Sequence, residues 1–132
     1  MKGQNMIHIA SIRDLRKYPN TTKYAIVRSL KKPILGVTQL PVLSPSKSLF
    51  WSYCDWKKAG IWNKKTFDEL YAPTFLAEIA QSDAQAALDD LARRSHTEDI
   101  VLVCFCADVT LCHRSLVAKL LAERGAEMGD II

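Results

Sequence analysis

The stretch Ile100-Val101-Leu102-Val103-Cys104-Phe105-Cys106 decides the fold. Seven consecutive apolar residues, most of them β-branched or aromatic, show neither a helical period nor polar alternation, so they suit a strand covered on both faces. Such a run predicts the central strand of a mainly parallel sheet. After it come Ala107-Asp108-Val109-Thr110-Leu111 and Cys112-His113-Arg114-Ser115. Leu116, Val117, Leu120 and Leu121 then recur at helical spacing, with Lys119, Glu123 and Arg124 off that stripe, and Gly125 suits the left-handed position that closes a helix.

Between this strand and this helix the chain carries thiols, an imidazole and a guanidinium. That is where open α/β sheets place their ligands, at the carboxyl end of a strand facing a helix N-terminus. Cys112 and His113 lie one turn before Leu116 and Val117, which points them inward over the sheet's end. Arg114 falls on the flank of the first turn.

The segment from Val101 to Gly125, with Cys104, Asp108, the Cys112-His113-Arg114 triplet and the Leu- and Ala-rich helix, resembles the closing motif of the domain-of-unknown-function family 488. Weaker similarity extends back through Leu40-Pro41-Val42-Leu43-Ser44-Pro45, Val27-Arg28 and Phe67 to Tyr71. The chemistry of that family is not established, so the resemblance implies a fold and a site without a reaction. Three positions depart from its usual pattern: Cys106 stands in place of a Glu, Val109 in place of a Pro, and Ile26 in place of an acidic residue.

The rest of the chain fits one α/β domain over residues 1–132, a three-layer Rossmann-like sandwich. With 48% hydrophobic and 24% charged residues the composition is that of a globular protein, and a net charge of +4 spread along the chain serves solubility. No apolar run reaches membrane-spanning length, and Met1-Lys2-Gly3-Gln4-Asn5 lacks a signal-peptide core, so a cytoplasmic protein without a membrane partner is expected. Four cysteines, two of them in an apolar strand, suit reduced thiols.

Met6 to Ala10 and Lys23 to Arg28 predict strands parallel to the central one, with Asp14 to Thr22 as a loop between them. A parallel second strand brings Arg28 to the same edge as the Cys-His-Arg cluster. Val37 to Leu40 reads as a short strand stopped by Pro41. A helix capped by Ser44 or Ser46 follows, with Leu49, Phe50 and Tyr53 inward and Ala59-Gly60 at its end. Thr66 to Tyr71 and the segment after Pro73 predict further helix, Ser82 or Asp83 caps another that ends in Arg93-Arg94-Ser95-His96, and Ala126 to Ile132 is at most an edge strand weakened by Gly129. His8 and His96 read as strand and loop residues.

Three functions suit this edge. One is a pocket for a small anion, phosphate or nucleotide-like, bound by Arg28, Arg114, Ser115 and Asp108, with Cys112 and His113 as nucleophile and partner in a thiol-dependent reaction. The second is a Cys/His metal site at Cys104, Cys106, Cys112 and His113. It lacks the Cys-x-x-Cys knuckle, so no metal and no stoichiometric zinc is expected. The third is a nucleic-acid or protein-interaction module over residues 50–67, where Phe50, Trp51, Tyr53, Trp56, Trp62 and Phe67 alternate with Lys57, Lys58, Lys64 and Lys65. Aromatics at helical spacing also serve as core, and Cys104 reads as a small core residue. Neither a dinucleotide glycine fingerprint nor a Walker loop is present, so no cofactor is implied. Cys112, at a helix N-terminus beside His113 and Arg114 where its thiolate is favoured, is expected to be the most reactive thiol, and Cys106 is its candidate partner across the loop.

Overall fold

The computed structural model describes residues 5–132; the reading of Met1 to Gln4 lies outside the described residues. Five parallel strands form one sheet in the order β3-β2-β4-β1-β5: β1 Ile7–Ser11, β2 Thr22–Ala25, β3 Val37–Gln39, β4 Ile100–Cys104 and β5 Met128–Ile131. The predicted central strand is β4, paired with β1 through Ile9 and Leu102 and with β2 through Tyr24 and Leu102. Each of its residues is buried, as a strand covered on both faces requires.

The two faces are covered unequally. His8 pairs with Val101 and stacks on Tyr18, with ring centroids 4.8 Å apart, so the Val101 and Val103 face lies under the 3₁₀ helix Ile12–Lys17 and the tyrosine that ends it. A loop was expected there. On the other face α5, His113–Glu123, packs against β1, β4 and β5, and its Arg114 reaches Cys104.

The remaining helices are α1 Lys47–Lys58, α2 Lys64–Thr66, α3 Ala72–Ile79 and α4 Ser82–Arg94. Ser46 caps α1 by accepting from the Leu49 N–H at 3.0 Å, while its own N–H donates to Glu78 of α3 at 2.9 Å, which ties the two helices together. Between α2 and α3 a π-helical turn, Phe67–Tyr71, turns Phe67 and Tyr71 into the core. The N-cap of α4 is Gln81 rather than Ser82 or Asp83; Asp83 instead accepts from the Ala84 N–H. Gly125 closes α5 with φ of 81°, as its position predicts. Among the described residues no helix is long and apolar enough to cross a membrane.

Strand order positions the site. The chain leaves β2 toward β3 and leaves β4 in the opposite direction, over β1 to β5. Diverging connections from adjacent strands open a crevice between their carboxyl ends, and here it lies between the ends of β2 and β4.

Candidate thiol and anion site

At that crevice the structure has a cavity of about 1250 Å³. It is lined by the segment after β2, from Val27 and Arg28 to Lys31 and Lys32, by the aromatic rings of Phe50, Trp51 and Tyr53 of α1 with Trp62 and Tyr71, and, at the end of β4, by Cys104 and Cys106 with His113, which we call its floor. Arg28, Lys31, Lys32 and Lys47 supply four cations, and among the described residues no acidic side chain lines it. Burial holds the Tyr71 phenol protonated, which keeps an O–H donor at this wall.

The aromatic segment therefore divides between two roles. Phe67 and Tyr71 are buried and Trp62 lies edge-on to both, whereas Trp51, 57% exposed, and Phe50 face the cavity mouth. The inward placement expected of Phe50 fails because an open cavity, not core, lies beside it. Lys57 and Lys64 sit over the rings of Tyr53 and Phe67, so the lysines of the cavity come from elsewhere.

Beneath the floor the sulfurs of Cys104, Cys106 and Cys112 lie within 4.8 Å of one another. β4 ends at Cys104, and the chain turns outward so that Phe105 is 59% exposed while Cys106 is half-buried. Cys112, the N-cap of α5, brings its Sγ to 2.9 Å from that of Cys104. Cys106, the candidate partner of Cys112, shares this cluster with the Cys104–Cys112 contact.

Arg114 does not lie on an open flank. It is fully buried, its Nε donating to the Ile132 carbonyl at 3.0 Å and its Nη1 to the Cys106 carbonyl at 2.8 Å and to Cys104 Sγ at 3.2 Å. Nη2 has no partner among the described residues. A guanidinium keeps its proton, and none of the Asp or Glu side chains among the described residues pairs with it, so the side chain it acts on is the Cys104 sulfur.

These contacts move the thiolate from the expected residue to its neighbour. Hydrogen bonds from Cys106 and Cys112, together with the Arg114 guanidinium, hold the Cys104 thiol well below the ordinary cysteine range against the opposing effect of burial. The hydrogen bond to Cys104 and burial push Cys106 up to about 11 and Cys112 higher still. The helix dipole at Cys112 is outweighed: one negative charge fits among three sulfurs, and it settles where the guanidinium is.

His113 is buried, and burial lowers its pKa, so the ring is neutral. Its Nε2 lies 2.7 Å from the Ile26 carbonyl, which only accepts, so the proton is on Nε2 and the Nδ1 lone pair faces Cys112 Sγ at 3.7 Å. Phe75, 5.5 Å away between ring centroids, holds the imidazole in place.

The other predicted residues separate. Arg28 is exposed on the cavity wall. Asp108 accepts from the Thr110 N–H at 2.9 Å and hydroxyl at 2.6 Å, which caps the 3₁₀ turn Val109–Leu111 and lowers its pKa. Ser115 donates to the Cys112 carbonyl within its own helix. Neither lines the cavity. Lys31, Lys32 and Lys47 were not singled out; the available signal was the lysine pair directly after the Arg28 strand.

The family model DUF488-N3a, described as the active DUF488-N3 subclade, matches residues 7–125. The chain belongs to the DUF488 family. The match spans all of the sheet except β5, together with the cavity walls and the thiol floor, so the site belongs to the DUF488 domain itself. No curated protein and no solved structure matches the chain.

Proposed function

We propose that this DUF488 chain binds a small nucleotide-like anion in the carboxyl-edge cavity and presents a thiol to it, as a cytoplasmic enzyme working in a reducing compartment. One observation carries this reading: a cavity with four cations and no carboxylate in its lining has an aromatic wall on one side and cysteines in its floor. Lysines and Arg28 suit a phosphate, exposed ring faces suit a flat base, and Cys104 is the ionised sulfur beneath them. Cys112 and His113 serve that sulfur from behind, one as hydrogen-bond donor and the other as proton acceptor. Arg114 holds the charge of the thiolate rather than that of the ligand.

Isothermal titration with adenosine monophosphate, adenosine and inorganic phosphate tests the reading. The monophosphate binds more tightly than either part alone, and the Lys31→Ala, Lys47→Ala double variant weakens it by roughly tenfold, equivalent to about 1.4 kcal/mol. Equal affinity for adenosine and its monophosphate contradicts the reading.

The exposed Phe50, Trp51 and Phe105 favour a second reading, a single-stranded nucleic-acid surface. A single-stranded oligonucleotide then binds with a steep salt slope of several counterions, whereas a mononucleotide has a shallow one.

A further inference from the structure

We propose that the thiol cluster exchanges with small anionic disulfides, Cys104 attacking from the cavity floor and Cys112 closing the protein disulfide behind it. The inference rests on the cavity reading for its substrate charge, and on the cluster alone for its chemistry.

The two sulfurs are already 2.9 Å apart, and a disulfide needs about 2.05 Å, so closure requires a movement of less than about 1 Å. Cys104 borders the cavity, whereas Cys112 does not. This division suits an attacking and a resolving thiol. Arg114 Nη1 at 3.2 Å favours the thiolate that exchange requires, and His113 Nδ1 at 3.7 Å stands ready for the Cys112 proton. The same guanidinium argues against a metal ion among these sulfurs, since a fixed positive charge repels a cation and compensates only one thiolate.

The steps balance. The Cys104 thiolate attacks one sulfur of RS–SR, forming Cys104–S–S–R and releasing RS⁻. His113 Nδ1 then takes the Cys112 proton, and the Cys112 sulfur attacks Cys104 Sγ, breaking the mixed disulfide and releasing a second RS⁻. The imidazolium proton leaves with that thiolate. Overall the protein dithiol is oxidised to a disulfide and RS–SR is reduced to two thiols.

The ring of Arg28, Lys31, Lys32 and Lys47 selects an R group bearing carboxylate or phosphate. The test uses the full chain, fully reduced, with oxidised glutathione as the anionic disulfide and cystamine as its cationic counterpart. Peptide mapping by mass spectrometry follows the cysteines. Wild type and Cys54→Ser release two thiols per chain and gain a Cys104–Cys112 bridge; Cys112→Ser stops at a mixed disulfide on Cys104 with one thiol released. Glutathione disulfide reacts at least about tenfold faster than cystamine. Should Cys112→Ser not fold, the bridge mapped in wild type decides alone. No bridge, or a bridge that includes Cys54 or Cys106, overturns the exchange even where adenosine monophosphate still binds. Equal rates with the two disulfides overturn the anionic substrate, and with it the charge role given to the cavity.

Discussion

Arg114 Nη1 lies 3.2 Å from Cys104 Sγ; Arg114 is fully buried, and Cys104, also buried, borders the cavity. A buried guanidinium without a carboxylate partner favours the ionised sulfur, and the ionised sulfur in turn lessens the cost of burying Arg114. Arg114→Gln therefore has two effects. Stability falls by about 3 kcal/mol, read from urea midpoints, and the pH midpoint for alkylation of Cys104 moves upward. An unchanged midpoint contradicts the pairing.

Stability should rise with pH to a maximum near pH 9, most steeply below about pH 6.5. Below the ordinary histidine value of 6.5 the unfolded chain protonates His113 while the native chain does not, so stability falls with falling pH. Cys104 has its pKa depressed, and its contribution, complete above the unfolded value of 9.0, is likewise lost as pH falls. Cys106 acts in the opposite direction: pushed up from 9.0 to about 11, it stabilises the native state below 9.0 and loses that contribution as pH rises to about 11. Urea midpoints measured across this range check the shape. A His113→Gln variant, whose amide nitrogen reaches about as far as Nε2 and can donate to the Ile26 carbonyl, should lose the acid limb that His113 contributes.

Gly129 is required by packing in β5. A Cβ there would lie 2.4 Å from His8 Nδ1 and 2.6 Å from the Met6 sulfur, so Gly129→Ala pushes the edge strand from β1. The expected loss is about 1–3 kcal/mol in chemical denaturation, and a neutral substitution would contradict the close approach.

Three sulfurs within 4.8 Å resemble a metal site, yet the purified protein is expected to hold well under one equivalent of zinc. Arg114 supplies the reason, since its charge already compensates the thiolate. Elemental analysis giving about one equivalent, lost in Cys112→Ser, would make the cluster a metal centre.

Much of this was legible in the chain because it is local. The unbroken apolar run through Val101 and Val103 specifies a strand covered on both faces, and Ser46 and Gly125 mark helix ends by their own backbone chemistry. The burial of Arg114 was not legible. Its Nε reaches the carbonyl of Ile132, eighteen residues on, and no helical period encodes a contact made around the end of a sheet. The acidity of Cys104 follows from hydrogen bonds made by Cys106 and Cys112 and from Arg114 Nη1, contacts that form only once the chain folds, which is why the helix dipole at Cys112 misleads. Lys31 and Lys32, in the loop after β2, and Lys47, in the first turn of α1, converge on the cavity only once the strands are ordered β3-β2-β4.

The central claim is that an anion in the basic cavity sits over the thiol floor. Its most direct test is alkylation of the reduced protein by iodoacetamide, resolved at each cysteine, with and without saturating adenosine monophosphate. The nucleotide should slow modification of Cys104 and Cys106 while Cys54 reacts at an unchanged rate. Equal rates at all three under saturation would place the nucleotide elsewhere and contradict the account.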